Sequence, residues 1–183
     1  MLMKVISGLY KGRVLEGFSI EGTRPTMDRV KESLFAMIQG NIRDSIVLDL
    51  FSGSGNLGIE SLSEGAKYAY LVDSNRKAIQ VIQKNLSTIG ISQAEVLFLD
   101  YLKALKYLSE KGILFDIIFL DPPYQTNYVE RSIGLIDEYQ LLKKDGIIVC
   151  ESDDLNKICY SNHFLCVKEK KYGDKYIVIL KKV

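Results

Sequence analysis

The sequence has little of what marks metal-binding, secreted or membrane proteins. Among its 183 residues are one histidine and three cysteines, Cys150, Cys159 and Cys166, with no C-x-x-C pair, so no metal site is expected. No apolar run approaches the ~20 residues of a membrane-spanning helix, and the N-terminus lacks the pattern of a secretory signal. Flexible linkers, low-complexity segments and repeats are missing as well. These absences predict a single reduced, cytoplasmic domain over residues 1–183, with neither a metal nor a membrane among its partners.

Charge is distributed unevenly, although the net charge is only +1. Residues 1–43 contain seven basic and four acidic side chains, and residues 167–183 contain six basic and two acidic ones, so the residues between them have a net charge of −6. If both ends fold to the same side, they form a basic face suited to phosphate groups. An ordinary solvated surface is the alternative.

Apolar periodicity predicts an N-terminal extension (residues 1–43, a hairpin and a helix) followed by a core of alternating strands and helices (residues 44–183). Strands alternate with helices in the core, which is the pattern of βαβ units in a parallel sheet. Two last strands around Tyr172-Gly173-Asp174 predict a hairpin. The fold class is therefore α/β, a Rossmann-like, doubly wound, mostly parallel seven-stranded sheet with an antiparallel C-terminal edge hairpin. The predicted core strands are 46–50, 68–72, 95–99, 115–120, 147–151, 164–170 and 175–180.

A glycine-rich loop follows the first core strand. Residues 49–58 read Asp-Leu-Phe-Ser-Gly-Ser-Gly-Asn-Leu-Gly and contain G-x-G-x-x-G. Glycines at these positions permit a tight turn and a close approach of a ligand to the backbone at a helix start. Asp49, four residues before Gly53, would repel a pyrophosphate but attract an ammonium or sulfonium group. The loop therefore favours S-adenosylmethionine (AdoMet) over a dinucleotide such as NAD.

Three later strands also end in an aspartate, namely Asp73, Asp100 and Asp121. Since parallel strands place their carboxyl ends at one edge of the sheet, these side chains and Asp49 are expected to line one site. Asp73 suits two ribose hydroxyls, and Asp100 suits the amino group of adenine. Each aspartate alone is also common as a turn or N-cap residue. Four of them together with a glycine loop indicate a ligand site.

The tetrapeptide Asp121-Pro122-Pro123-Tyr124 ends an apolar strand. Proline restricts the backbone and has no amide hydrogen, so the Asp121 carboxylate and the Asp121 or Pro122 carbonyl stay available as acceptors. Tyr124 adds a flat aromatic face beside them. Acceptors next to a stacking surface suit a planar group with an amino donor, such as a nucleobase. A simple strand-terminating turn is the alternative.

Five segments, taken in order, resemble one family of methyltransferases. The glycine loop and the Asp-Pro-Pro-Tyr motif are similar to those of class I AdoMet-dependent amino-methyltransferases in general. The block Arg-Pro-Thr-Met-Asp-Arg-Val-Lys-Glu at residues 24–32 is more specific. Together the segments resemble the bacterial RsmD family, which methylates N2 of a guanine in 16S ribosomal RNA. They are residues 8–13, 24–32, 49–58, 121–124 and 171–174.

The motifs and the resemblance together suggest roles for individual residues. The resemblance implies 16S rRNA as the substrate, free or within the small ribosomal subunit or its assembly intermediate. The residues expected to act in catalysis are Asp121, Pro122, Pro123 and Tyr124. Those expected to bind AdoMet are Asp49, Phe51, Ser52, Gly53, Gly55, Asp73, Ser74, Asp100, Tyr101 and Thr26. Those expected to bind RNA phosphates are Lys11, Arg13, Arg24, Arg29 and Lys31.

Other functions stay open at this point. An amino-methyltransferase for DNA adenine or cytosine, or for protein glutamine, would use the same motif, although sequence-specific DNA enzymes usually contain an inserted target-recognition domain. An NAD(P)-dependent oxidoreductase is disfavoured by Asp49. A noncatalytic RNA-binding assembly factor would be expected to have lost Asp121 or the glycine loop.

Overall fold

The computed structural model describes residues 2–18, 28–123 and 126–183. The predictions for Arg24, Thr26 and Tyr124 therefore lie outside the described residues. The helices are α1 (Asp28–Ile42), α2 (Asn56–Ser63), α3 (Arg76–Ile89), α4 (Tyr101–Glu110) and α5 (Tyr128–Glu138). The strands are β1 (Leu2–Lys4), β2 (Val14–Glu16), β3 (Ile46–Asp49), β4 (Tyr68–Asp73), β5 (Ala94–Phe98), β6 (Phe115–Leu120), β7 (Leu142–Ser152), β8 (Phe164–Tyr172) and β9 (Lys175–Lys182).

Seven strands form the main sheet in the order β5-β4-β3-β6-β7-β9-β8. The first five are parallel, and β9 pairs antiparallel with both β7 and β8. The predicted fold class, with its antiparallel C-terminal edge, is confirmed. The chain turns outward in one direction after β3 and in the other after β6, which creates a crevice at the carboxyl ends of these neighbouring strands.

Local sequence explains why helix α3 begins and ends where it does. The Asn75 side chain accepts a hydrogen bond from the Lys77 amide at 2.9 Å and caps the first turn. Gly90 ends the helix with a φ of 82°, a left-handed conformation that glycine adopts without strain. One apolar stripe packs against the sheet. Its buried residues are Ala78, Ile79, Ile82, Leu86 and Ile89.

The helices lie on both faces of the sheet. Buried residues of α1, α2 and α3 share one apolar core with the N-terminal hairpin, whereas those of α4 and α5 belong to the core on the opposite face. Among the described residues, no helix combines the length and the apolar character that crossing a membrane requires.

Strand β1 ends at Lys4. Beyond Lys4 the backbone amides of Ile6 and Ser7 donate to the Glu60 carboxylate, at 2.9 Å to Oε1 for each amide. These amides are consequently bonded to α2 rather than to β2. The hairpin is a separate two-stranded sheet. The segment that follows β1 is attached to α2 through Glu60.

Lys31 does not lie at the surface, so its prediction as an RNA ligand is wrong. Its side chain is 0% exposed, and its ammonium group lies 2.7 Å from Glu60 Oε2. It also donates to Asn56 Oδ1 at 2.7 Å and to the Lys4 carbonyl at 2.8 Å. The helical period accounts for the error, since position 31 faces the same way as the buried Phe35.

We expect Lys31→Met to lower the free energy of unfolding by about 3–5 kcal/mol, because Glu60 then remains as a buried charge without its partner. Denaturant titration measures the change. The double variant Lys31→Met/Glu60→Met should recover part of the loss. Lys84→Met is the matched control, since it breaks an exposed ion pair with Glu16 and should cost about 1 kcal/mol or less. A loss of that size for Lys31→Met would contradict the expectation.

Candidate active site

Two adjacent cavities lie at the carboxyl ends of the parallel strands. The larger has a volume of about 520 Å³, within the usual range for small-molecule sites. The smaller, of about 90 Å³, shares Phe51, Gly53 and Asp121 with it and adds Asp49 and Ser52. The predicted site residues that line the larger cavity are Phe51, Gly53, Asp73, Ser74, Asp100, Tyr101, Asp121, Pro122 and Pro123.

The glycine loop is held in shape by hydrogen bonds within the protein. Gly53 and Gly55 have φ values of 55° and 80°, and Gly55 is the N-cap of α2. The Gly53 amide donates to Asp73 Oδ2 at 2.9 Å, and the Gly55 amide donates to the Ser52 carbonyl at 2.7 Å. Gly55 does not line either cavity. The two glycines therefore contribute the form of the loop, since both amides already have acceptors.

Asp49 is buried below this loop. Its side chain is closed off from solvent, with 2% of the residue exposed, and its Oδ2 accepts a hydrogen bond from the Gly58 amide at 3.1 Å. Burial raises the pKa of Asp49 to about 7, the Gly58 hydrogen bond opposes this, and the nearby Asp73 charge adds to it. A cation in the adjoining cavity would favour the ionised carboxylate.

Asp73 and Asp100 present carboxyl groups to the larger cavity in different environments. Asp73 is held by the amides of Gly53 and Asn75, the latter at 2.8 Å, while burial raises its pKa. Asp100 is the N-cap of α4 and accepts from the Lys103 amide at 3.0 Å, which lowers its pKa. The capping function that the sequence offered as an alternative is thus present for Asp100. Its contact with adenine stays a prediction.

Three aromatic rings form a cluster on one wall of the larger cavity. Tyr101 is almost fully buried, and its ring centroid lies 5.5 Å from that of Phe51 and 4.7 Å from that of Tyr128. The Arg131 guanidinium lies 6.0 Å from the Tyr101 ring. The sequence analysis missed Tyr128 and Arg131. Both residues could have been predicted, because they lie in the first turn of the helix that directly follows the Asp-Pro-Pro-Tyr motif. This helix must start at the same edge of the sheet as the motif.

Asp121 follows β6 at the centre of the site. Burial raises its pKa well above the ordinary value, and the neighbouring Glu151 charge raises it further, while Lys175 opposes the shift. Pro122 is buried, and the Pro123 carbonyl accepts a hydrogen bond from Thr126 at 2.8 Å. Glu151 and Lys175 were missed by the sequence analysis. Glu151 ends the predicted strand 147–151, so the rule that found the four aspartates also applied to it.

The N-terminal extension supplies part of the cavity wall through Phe18, which the sequence analysis also missed.

Within residues 2–18, 28–123 and 126–183, no three His, Cys, Asp or Glu side chains are grouped as metal ligands would be. The cavity walls provide carboxyl groups, aromatic rings and one glycine loop.

Asp49→Asn should stabilise the protein at neutral and alkaline pH, because the amide can still accept from Gly58 without a buried charge. The raised pKa means that wild-type stability decreases as pH rises from about 4 to about 7. The advantage of the variant should therefore be small near pH 4 and level off above pH 7 at about 2–4 kcal/mol. Denaturant titrations at pH 4.5 and pH 8 test this.

Asp100→Asn is the control of opposite sign. Its pKa is lowered in the folded state, so this variant should lose stability relative to wild type as pH rises, although asparagine preserves the N-cap. An Asp49→Asn variant that is equally or less stable than wild type at pH 8 would contradict the buried-charge interpretation.

Comparison with known sequences identifies relatives over nearly the whole chain. The family model described as "Conserved hypothetical protein 95" matches residues 3–181. The "Putative rRNA methyltransferase YlbH" of Bacillus subtilis (strain 168) is 41% identical over 182 residues, covering 98% of this chain and 99% of that protein. The "Ribosomal RNA small subunit methyltransferase D" of Haemophilus influenzae is 38% identical over 176 residues, covering 93% and 89%.

Solved structures agree with the sequence relatives. The structure described as "Putative methyltransferase yhhF from Escherichia coli" superposes with a TM-score of 0.88 at 32% identity, covering 100% of this chain and 98% of that one. The fold, the placement of the motif residues around one crevice and these relatives all agree with the resemblance found in the sequence. The chain belongs to the RsmD family of ribosomal RNA methyltransferases.

Proposed function

We propose that this protein transfers a methyl group from AdoMet to N2 of a guanine in 16S rRNA, within the small ribosomal subunit or an assembly intermediate. The observation that carries the proposal is the position of Asp121, which lines both cavities at the end of β6, directly before Pro122. The family relatives named as rRNA small subunit methyltransferases support RNA as the substrate.

The residues around the cavities fit AdoMet as the methyl donor. Buried Asp49, with a pKa near neutrality, suits the cationic methionine end beside the glycine loop. Asp73 then suits the ribose, and Asp100 with the Tyr101 ring suits the adenine. Thr26 is proposed to close over the cofactor. AdoMet, when bound, supplies an electrophilic methyl group on a positively charged sulfur.

Asp121 has the chemistry that an amino substrate requires. The lone pair of an exocyclic amino nitrogen is delocalised into the base, so hydrogen bonds from its N–H groups to Asp121 and the Pro122 carbonyl would localise the pair for attack. Positive charge develops on nitrogen during transfer, and a fixed carboxylate therefore stabilises the transition state more than the ground state. Tyr124 is proposed to stack on the base, a contact worth ~1–3 kcal/mol.

Basic residues of the C-terminal strand β8 contact helix α1. The Lys168 ammonium donates to the Met37 carbonyl of α1 at 3.2 Å, and Lys170 donates to Ser33 Oγ at 3.1 Å. The two ends therefore fold to the same side, as the basic-face interpretation requires. Exposed Arg29 lies in the first turn of α1, one helical turn before Ser33. This arrangement supports Arg29 as a ligand of RNA phosphates.

Lys11 and Arg13 are exposed but lie farther from the catalytic edge. Their turn is attached to the end of α2 that points away from the glycine loop, through a hydrogen bond from the Tyr10 amide to Ser63 Oγ at 2.9 Å. An eight-residue helix is about 12 Å long, so this turn is attached about that far along α2 from the glycine loop. Arg24 remains a further candidate from the sequence.

Methyl transfer from labelled AdoMet to unmodified small subunits, naked 16S RNA and DNA tests the function, followed by nucleoside analysis. Label in N2-methylguanosine supports the proposal, and the ratio of subunit to naked RNA shows which is recognised. Label in DNA, or in no acceptor despite AdoMet binding, would contradict it.

Asp121→Ala should lower turnover by about 10²–10³-fold or more, since it removes the carboxylate that stabilises the positive charge developing on the nitrogen. AdoMet affinity, measured by calorimetry, should change only a few-fold. Glu110→Ala removes an exposed acid at the end of α4 and should leave both unchanged. Loss of AdoMet binding in Asp121→Ala would contradict the catalytic role.

Lys11→Ala/Arg29→Ala should reduce the salt dependence of RNA binding by about two charges. Fewer counterions are released on binding when two phosphate contacts are lost. Lys103→Ala/Lys106→Ala on α4, on the opposite face of the sheet, is the matched control and should not alter the slope. An equal slope for both double variants would contradict a role of Lys11 and Arg29 in binding RNA phosphates.

A further inference from the structure

Glu151 lies beside Asp121 because of the strand register. Leu120 of β6 is paired with Cys150 of β7 in a parallel ladder, so the residue after each lies at the same carboxyl edge. Strand β9 runs antiparallel to β7, and its first residue, Lys175, reaches this edge from the other side. Three adjacent strands thus place two carboxyl groups and one ammonium group together.

Glu151 is buried, Asp121 and Lys175 are partly buried, and Lys175 contacts Glu151. The Glu151 side chain is 8% exposed, the Lys175 side chain is 16% exposed, and the Lys175 ammonium donates to Glu151 Oε1. The carboxyl groups of Glu151 and Asp121 are also joined by a hydrogen bond. Such a bond requires a proton on one of the two, since two carboxylates are both acceptors. The raised pKa of Asp121 favours that proton on its carboxyl group.

The surrounding charges determine where that proton is held. Asp121 faces Glu151 from β7, Asp49 from β3 and Lys175 from β9. The nearby acids Glu151 and Asp49 favour a proton on Asp121, and Lys175 opposes this. A cation in the cavity opposes the charges of Asp49 and Glu151, and so favours loss of the proton from Asp121.

We propose that Glu151, held by Lys175, is a positioning residue that orients the Asp121 carboxyl group and shares the proton that leaves the substrate. This inference rests on the proposed function. It assigns to the end of β7 a part in the reaction that the Asp-Pro-Pro-Tyr motif alone does not provide.

The proton has a defined path in this arrangement. The amino nitrogen forms its bond to the methyl carbon while the carbon–sulfur bond breaks, and that electron pair stays on sulfur. The nitrogen then has a positive charge and two protons, one of which passes to the Asp121 carboxylate. Asp121 hydrogen-bonds to Glu151 through this proton, and the proton is released to water after the product leaves. Glu151 makes Asp121 a stronger base than an ordinary aspartate.

Two variants should shift the titration of Asp121 in opposite directions. Glu151→Gln removes the like charge and should lower the pKa of Asp121 by about one unit or more, whereas Lys175→Met removes the opposing charge and should raise it. Carboxyl carbon NMR of the free protein, with aspartate labelled by ¹³C, measures this without any substrate. The Asp121 signal is assigned by its loss in Asp121→Ala. Lys181→Met, on the same strand but paired with Asp145, is the matched control.

The pH dependence of methyl transfer gives a second readout. The acid limb of kcat should move to lower pH in Glu151→Gln and to higher pH in Lys175→Met, with AdoMet affinity changed only a few-fold. Shifts of both variants in the same direction, or none, would overturn the proposal, since a merely structural role gives no opposite pair. Absence of methyl transfer by the wild type to any RNA or subunit would instead contradict the proposed function. The NMR titration needs no substrate, so it tests the effect of Glu151 and Lys175 on Asp121 independently of that function.

Discussion

The ammonium group of Lys31 holds together three parts of the molecule that are distant in sequence. It joins α1 to α2 through Glu60 and Asn56, and it joins both helices to the hairpin through the Lys4 carbonyl. Asn56 is the first residue of α2, directly after Gly55, so the helix that presents Arg29 and the loop that shapes the cofactor cavity share one buried charge. Such a charge is tolerated only with its full set of partners, which fixes the two helices relative to each other.

A parallel sheet imposes the second constraint, because all of its strand ends meet at one edge. The aspartates that end the predicted strands could be placed around a common site before any contact was known, and Asp49, Asp73, Asp100 and Asp121 do line the cavities. Element types were equally accessible, since the apolar period and signals such as Asn75 are local features. What the sequence could show was therefore whatever depends on neighbours along the chain and on the rule for parallel strands.

The remaining features depend on which segments become neighbours in space. Lys31 has the sequence environment of a surface residue beside Arg29, and only its position on the helix and the presence of Glu60 make it internal. Lys175 reaches Glu151 because β9 lies between β7 and β8, an order that the hairpin pattern does not specify. Strand β7 begins at Leu142, five residues before the predicted start, and its added first part includes Asp145, whose φ is 64°.

The outer position of β8 has a consequence for association between molecules. An edge strand offers unpaired backbone groups to other chains, and Leu165 and Val167 on β8 are exposed apolar residues that would favour such pairing. Lys168, Lys170 and Lys171 follow them on the same strand, and charged lysines at an edge oppose strand addition. The residues of this basic face thus also act as gatekeepers against aggregation. Variants that neutralise these lysines for RNA-binding studies would leave an apolar edge strand that favours pairing with other chains.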